Sequence, residues 1–171
     1  MSNPADATEA SQDGGTLLSD PATPHTISRR NLPLLMLQAR EAVFAHFRPL
    51  LNAAGVTEQQ WRIIRALLEN GPMEPRQIAQ ICCLSSPSLT GILTRMDDLG
   101  WVTRSRFETD QRRVLVAASD AARALAERLA PQVEARYAEL EARLGPSLLS
   151  QSYALLDALT QALPAEPSPE S

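Results

Sequence analysis

Ser86-Pro87-Ser88-Leu89-Thr90-Gly91-Ile92-Leu93-Thr94-Arg95-Met96 has two faces. At about 100° per residue, Leu89, Ile92, Leu93 and Met96 gather on one side of a helix, which must pack on a protein body. The other side carries Pro87, Thr90, Gly91 and Thr94, flanked by Ser88 and Arg95. Ser86 is read as the N-cap with Pro87 at the first helical position, and Gly100 follows Leu99 as the stop. Immediately upstream, Pro75 to Cys83 is expected to form a short helix burying Ile78, Ala79 and Cys82, with Leu84-Ser85 as the turn. Downstream the period changes to two: Trp101 to Phe107 and Arg113 to Ala117 alternate around the polar turn Glu108-Thr109-Asp110-Gln111-Arg112, which predicts a β-hairpin with an arginine-rich tip. Two short helices on a tight turn followed by a basic hairpin make a winged helix-turn-helix.

A helix lined by small hydroxylated side chains and a glycine can enter a major groove about 12 Å wide and bring its backbone close to base edges. Free N–H groups near Ser86 and Ser88 suit a phosphate oxygen. In the hairpin, Arg104 and Arg106 project from one side of the first strand, and Arg112 and Arg113 stand at the far end of the loop. Asp110 is placed to orient an arginine fork toward a minor groove. The bland alternatives are an ordinary amphipathic helix and a solvated charged hairpin.

Outward toward the N-terminus, Thr57-Glu58-Gln59-Gln60 is a capping box, with Thr57 as N-cap and Gln60 at N3. The helix it opens carries Trp61, Ile64, Leu67 and Leu68 and stops at Asn70-Gly71-Pro72. Before it, Leu34, Leu37, Val43, Phe44, Phe47, Leu50 and Leu51 read as one helix from Pro33, ended by Gly55. After the hairpin, Ser119 begins a long helix with Leu125, Leu129, Val133, Leu140 and Leu144. An interior proline costs roughly 3 kcal/mol and removes a backbone bond, so Pro131 should kink that helix. Gly145-Pro146 breaks it, and a last helix carries Leu149, Tyr153, Leu156, Leu159 and Leu163. The expected organisation is a disordered acidic tail over 1–30, a folded unit over 31–163 and a second tail over 164–171. Within the unit, 57–118 is the DNA-binding lobe, and 31–55 with 119–163 supplies dimerisation helices.

The chain has 171 residues and a formal net charge of −4, and all 16 basic residues are arginine. The sign looks wrong for a nucleic-acid binder until it is divided along the chain. Residues 1–28 hold four acids and no arginine, whereas 76–113 hold six arginines against four acids. A local basic patch is what a phosphate backbone feels. No apolar run approaches the ~18–20 residues needed to span a bilayer, and the acidic N-terminus does not resemble a secretory signal, so a cytoplasmic protein without membrane attachment is expected. Two histidines, no Gly-x-Ser-x-Gly, no His-Glu-x-x-His and no phosphate-binding glycine loop leave no catalytic or metal constellation, and no cofactor is expected. Adjacent Cys82 and Cys83 cannot build a disulfide framework and make a poor chelate.

From Asn31 to Leu163 the chain resembles the multiple-antibiotic-resistance regulator (MarR) family. The likeness rests on Val56-Thr57-Glu58-Gln59-Gln60-Trp61, the segment Ser86 to Met96, and the wing Asp110-Gln111-Arg112-Arg113, where the family's Asp-x-Arg pattern falls on Asp110 and Arg112. Leu37 to Ala42 with Phe47-Arg48-Pro49 is similar to the family's repressors of homoprotocatechuate and nicotinate degradation. The long acidic tail and Pro131 depart from the pattern. The resemblance implies a homodimer reading a pseudo-palindromic double-stranded operator, usually as a repressor. It also implies a small aromatic carboxylate effector held between the dimerisation helices and the lobe. A buried carboxylate needs a cation or several donors. Arg40, Phe44 and His46 on the first helix, with Trp61 and Arg65 on the second, are the candidates. Their dull alternatives are a salt bridge for Arg40, a core position for Trp61 and simple exposure for His46. A hydroxylated nicotinic acid is the preferred effector and homoprotocatechuate the second. A cysteine redox sensor of the same family, or a helical adaptor that does not bind DNA, are the competing functions.

Overall fold

The computed structural model describes residues 29–106 and 113–163. Both expected tails, apart from Arg29 and Arg30, and the hairpin tip with Asp110 and Arg112 lie outside these residues. The order is α1 (Leu32–Phe44), α2 (Arg48–Ala53), α3 (Glu58–Asn70), α4 (Pro75–Ile81), α5 (Ser86–Asp98), β1 (Val102–Arg106), β2 (Val114–Ala118), α6 (Asp120–Leu144) and α7 (Pro146–Ala162). The fold is mainly α with a small β-hairpin wing: a winged helix-turn-helix flanked by long helices.

The core lies inside the lobe. Ile63, Ile64 and Leu67 of α3, Ile78 of α4, Leu89, Ile92, Leu93 and Met96 of α5 and Val116 of β2 are all buried together. Leu125, Leu129, Val133 and Leu140 extend that core along α6. The four apolar positions of α5 are therefore its packed face. Thr57 caps α3 by accepting from Gln60 N, and Gln60 Oε1 accepts from Thr57 N at 2.9 Å, which completes the capping box. Gly100, with φ of +68°, ends α5 in the left-handed region that only glycine enters without strain.

Three expectations need correction. The single helix from Pro33 to Gly55 is two, α1 and α2, separated at Ala45–Phe47. Pro49 near the start of α2 cannot donate a backbone bond, and its ring would strike the Ala45 carbonyl in a continuous helix. The N-cap of α5 is Ser85, in extended backbone, and Ser86 is the first helical residue. Ser85 makes no capping bond; its hydroxyl donates to Ser88 Oγ at 2.8 Å, and Pro87 offers no N–H to cap. Helix α4 stops at Ile81, because Cys83 takes φ of +49° in the turn. The wing also has a third edge: Met73 pairs antiparallel with Val116 through two backbone bonds of 3.0 and 2.8 Å.

Strands β1 and β2 pair antiparallel, Val102 opposite Ala118 and Arg106 opposite Val114. Helix α6 runs unbroken through Pro131, so the proline does not divide it into two helices. Ser119 is its cap, accepting from Ala122 N, and Gly145 at φ of +77° turns the chain into α7. Helices α1 and α7 contain no buried residue. Leu32, Leu37, Leu148, Tyr153, Leu155 and Leu163 are each more than half exposed.

Candidate nucleic-acid interface and effector cavity

The outer face of α5 is open. Ser86, Pro87, Ser88, Thr90, Gly91, Thr94 and Arg95 are all exposed, while their neighbours at helical spacing fill the core. Thr90 Oγ1 donates to the Ser86 carbonyl at 3.1 Å and Thr94 Oγ1 to the Thr90 carbonyl at 3.0 Å. Each hydroxyl therefore spends its proton on its own helix and presents lone pairs outward, and rotation can reverse that. A Cβ on Gly91 would meet only Arg95 Nη1, at 4.0 Å.

The wing arginines divide. Arg104 and Arg106 lie on the exposed part of β1, with Arg104 Nε 3.3 Å from Asp97 Oδ2 at the end of α5. Arg113 turns back to the N-cap of α4, where its Nε donates to Glu74 Oε1 at 2.7 Å. Arg113 is thus tied to the lobe in this state. Asp110 and Arg112 lie outside the described residues.

Of the five effector candidates, Arg40, Phe44 and Arg65 fall along one row rather than around one point, and His46 and Trp61 do not join it. The Arg40 guanidinium sits 5.8 Å from the Phe44 ring centroid and forms an ion pair with Glu58, the first residue of α3. Phe44 lies 6.5 Å from Phe47, and Phe47 lies 5.0 Å from Tyr137 of α6. Tyr137 then lines an open cavity of about 450 Å³ together with Arg65, Glu134, Glu141, Leu149 and Tyr153. Trp61 belongs to the core, only 9% exposed. His46 is half-buried after the end of α1, and its backbone N–H donates to Val43.

Arg65 is the one cation in the cavity wall and is already engaged by Glu69, its Nε donating at 2.8 Å. Burial pushes the Tyr137 phenol above its ordinary range; Tyr153 acts next in the same direction, and Arg65 opposes it. Tyr137 consequently stays protonated at neutral pH and can donate to a ligand oxygen. Helical spacing puts Phe47 on the face of Arg40 and Phe44, but reading the sequence that way missed Tyr137 and Tyr153 as candidate site residues. The available signal was scarcity: these are the two tyrosines of the chain.

Cys82 is fully buried, and burial raises its thiol above the usual range despite Arg62 nearby. Cys83 is exposed, with its thiol 3.8 Å from the Gln80 carbonyl. Among the described residues no cluster of His, Cys, Asp and Glu could hold a metal ion, and no helix is long and apolar enough to cross a membrane.

Comparison with known proteins gives a consistent result. A model of the MarR family matches residues 56–114. The HTH-type transcriptional regulator FarR of Neisseria gonorrhoeae is 46% identical over 110 residues, which span 64% of this chain and 75% of that protein. The homoprotocatechuate degradative operon repressor of Escherichia coli is 39% identical over 127 residues, 74% of this chain and 86% of that one. Among solved structures, NadR in complex with 4-hydroxyphenylacetate matches with a TM-score of 0.71 at 39% identity, covering 80% of this chain and 97% of that one.

Proposed function

The chain belongs to the MarR family of transcriptional regulators, and from that premise we propose that it is a homodimeric repressor of a pseudo-palindromic operator, released by a small hydroxylated aromatic acid. The observation that carries the DNA-binding half is the division of α5: four side chains are locked into the core, while the seven residues of the outer face are all exposed beside an arginine-bearing strand. That geometry lets the helix lie in a major groove with Arg104 and Arg106 beside the backbone. Arg112, and Asp110 to orient it, would then reach the adjacent minor groove. The uncovered leucines of α1 and α7 support pairing of two chains, because two helices that bury nothing while exposing so many leucines are what a partner would cover. Two-fold pairing would set half-sites about one helical turn, roughly 34 Å, apart.

For the effector, the row from Arg40 through Phe44 and Phe47 to Tyr137 and Arg65 offers a cation at each end, mutually tilted rings between them and a phenol donor. Such a site suits a ring bearing a carboxylate and a hydroxyl. A hydroxylated phenylacetate now stands ahead of hydroxynicotinate. A relative of 39% identity is solved with 4-hydroxyphenylacetate, and another is named for homoprotocatechuate degradation. The ligand must bind better to the arrangement in which the lobes are not spaced for DNA.

The test is fluorescence anisotropy with the promoter DNA beside its own gene, across a salt series, with and without 4-hydroxyphenylacetate, homoprotocatechuate and a hydroxynicotinate. Salt-dependent binding by a dimer, weakened by one of these acids, is expected. Binding that ignores every acid in the panel would overturn the effector reading, and no specific DNA binding would overturn the whole.

A further inference from the structure

The Glu58 oxygen that pairs with Arg40, Oε1, also serves a second arginine. Arg62, one turn along α3, donates from Nη2 to Glu58 Oε1 at 2.6 Å and from Nη1 to the backbone carbonyl of Cys82, also at 2.6 Å. One carboxylate therefore stands between a guanidinium on α1 and a second guanidinium fastened to the end of α4. The last carbonyls of a helix have no intrahelical partner, and a cation there is favoured by the helix dipole. The turn that follows stores strain: Cys83 is the only non-glycine residue with positive φ among those described. Leu84 N bonds back to the Ala79 carbonyl at 2.9 Å, and Ser85 is already the N-cap of α5. Arg62 thus grips the residue from which the recognition helix is hung.

We propose that Arg62 is a positioning residue through which the state of Arg40 sets the seating of α5 on its turn. While Arg40 shares Glu58, Arg62 holds that carboxylate with one nitrogen and the Cys82 carbonyl with another. When an anion draws Arg40 away, Glu58 is left to Arg62 alone. With Oε1 no longer shared, Arg62 is drawn further onto the carboxylate through Nη2, and that shift pulls Nη1 from the Cys82 carbonyl. The strained turn then loses its brace. The identity of the anion rests on the effector reading above; the link from Arg40 to the turn does not.

The experiment is amide hydrogen exchange on the full-length protein without ligand or DNA, so that failure of this link is distinguishable from failure of the effector reading. Arg40→Ala is expected to speed exchange at Cys83 and Leu84 by about threefold or more, with the α3 core amides of Ile63 and Ile64 unchanged. Arg62→Ala should do the same, and the double variant should exchange no faster than Arg62→Ala alone. Arg62→Lys, which keeps the charge but lacks the fork, should match Arg62→Ala. Arg48→Ala, which removes a pairing with Glu41 and a contact with the Phe44 ring but none with Glu58, Arg62 or Cys82, should leave the turn untouched. The proposal is overturned if Arg40→Ala leaves Cys83 and Leu84 at the wild-type rate, or if the two single effects multiply in the double variant.

Discussion

Gly91 sits in the middle of a helix, where glycine costs about 1 kcal/mol relative to alanine. Nothing inside the lobe asks for it: a Cβ there would find only the far end of Arg95. The missing side chain makes sense only toward something outside the chain. Gly91→Ala is therefore expected to raise stability by up to about 1 kcal/mol in a urea melt while weakening operator binding in the anisotropy assay. A stabilised variant with unchanged DNA affinity would take Gly91 out of the interface. The same scale shows where short-range signals stop. Ser85 and Ser86 are adjacent hydroxyl residues before a proline, and the choice of cap between them depends on a one-residue shift in backbone angle that composition does not encode. The capping box at Thr57, by contrast, is a reciprocal pair at fixed spacing, and it forms as read.

At the scale of elements, α6 carries its proline without breaking. Pro131 has no N–H for the carbonyl four residues earlier, so the helix keeps a defect that neighbouring turns must span. Replacing it, Pro131→Ala, should raise the free energy of unfolding by roughly 1–3 kcal/mol, measured by chemical denaturation. A loss of stability would mean that the proline is built into the packing of α6. Most of the lobe was legible because its elements are local and periodic: the two faces of α5, the alternation of β1 and β2, and the stops at Gly71, Gly100 and Gly145. The break between α1 and α2 was not, since an apolar period carried across Ala45–Phe47 hides a proline that starts a helix. The Met73–Val116 bridge was invisible for the opposite reason, being a single pair across 43 residues with no period at all. The candidate effector site was half legible. Arg40 and Arg65 announce themselves on helix faces, but Tyr137 and Tyr153 join Arg65 in a cavity wall only through the way α6 and α7 pack. The partnership of Glu58 with two arginines is likewise a product of tertiary placement.

At the scale of the whole molecule, the lobe is finished and its flanks are not. Leu155 and Leu156 of α7 are 61% and 48% exposed, on a helix that buries nothing. On the proposed pairing, the double substitution Leu155→Asp/Leu156→Asp should leave the protein a monomer where the unaltered chain sediments as a dimer in sedimentation equilibrium. It should also weaken operator binding by about 100-fold or more, since two-site engagement is lost while each lobe remains folded. A variant that stays dimeric would place the pairing surface elsewhere.

If the proposed pairing covers those flanks, copy number becomes a structural variable. Where a second strand of polypeptide is what shelters them, mass action decides how much complete reader exists, and dilution dismantles the spacing between lobes before it melts either one. A cell that lets this protein thin out would lose paired recognition first, with each head still intact and able only to brush single half-sites.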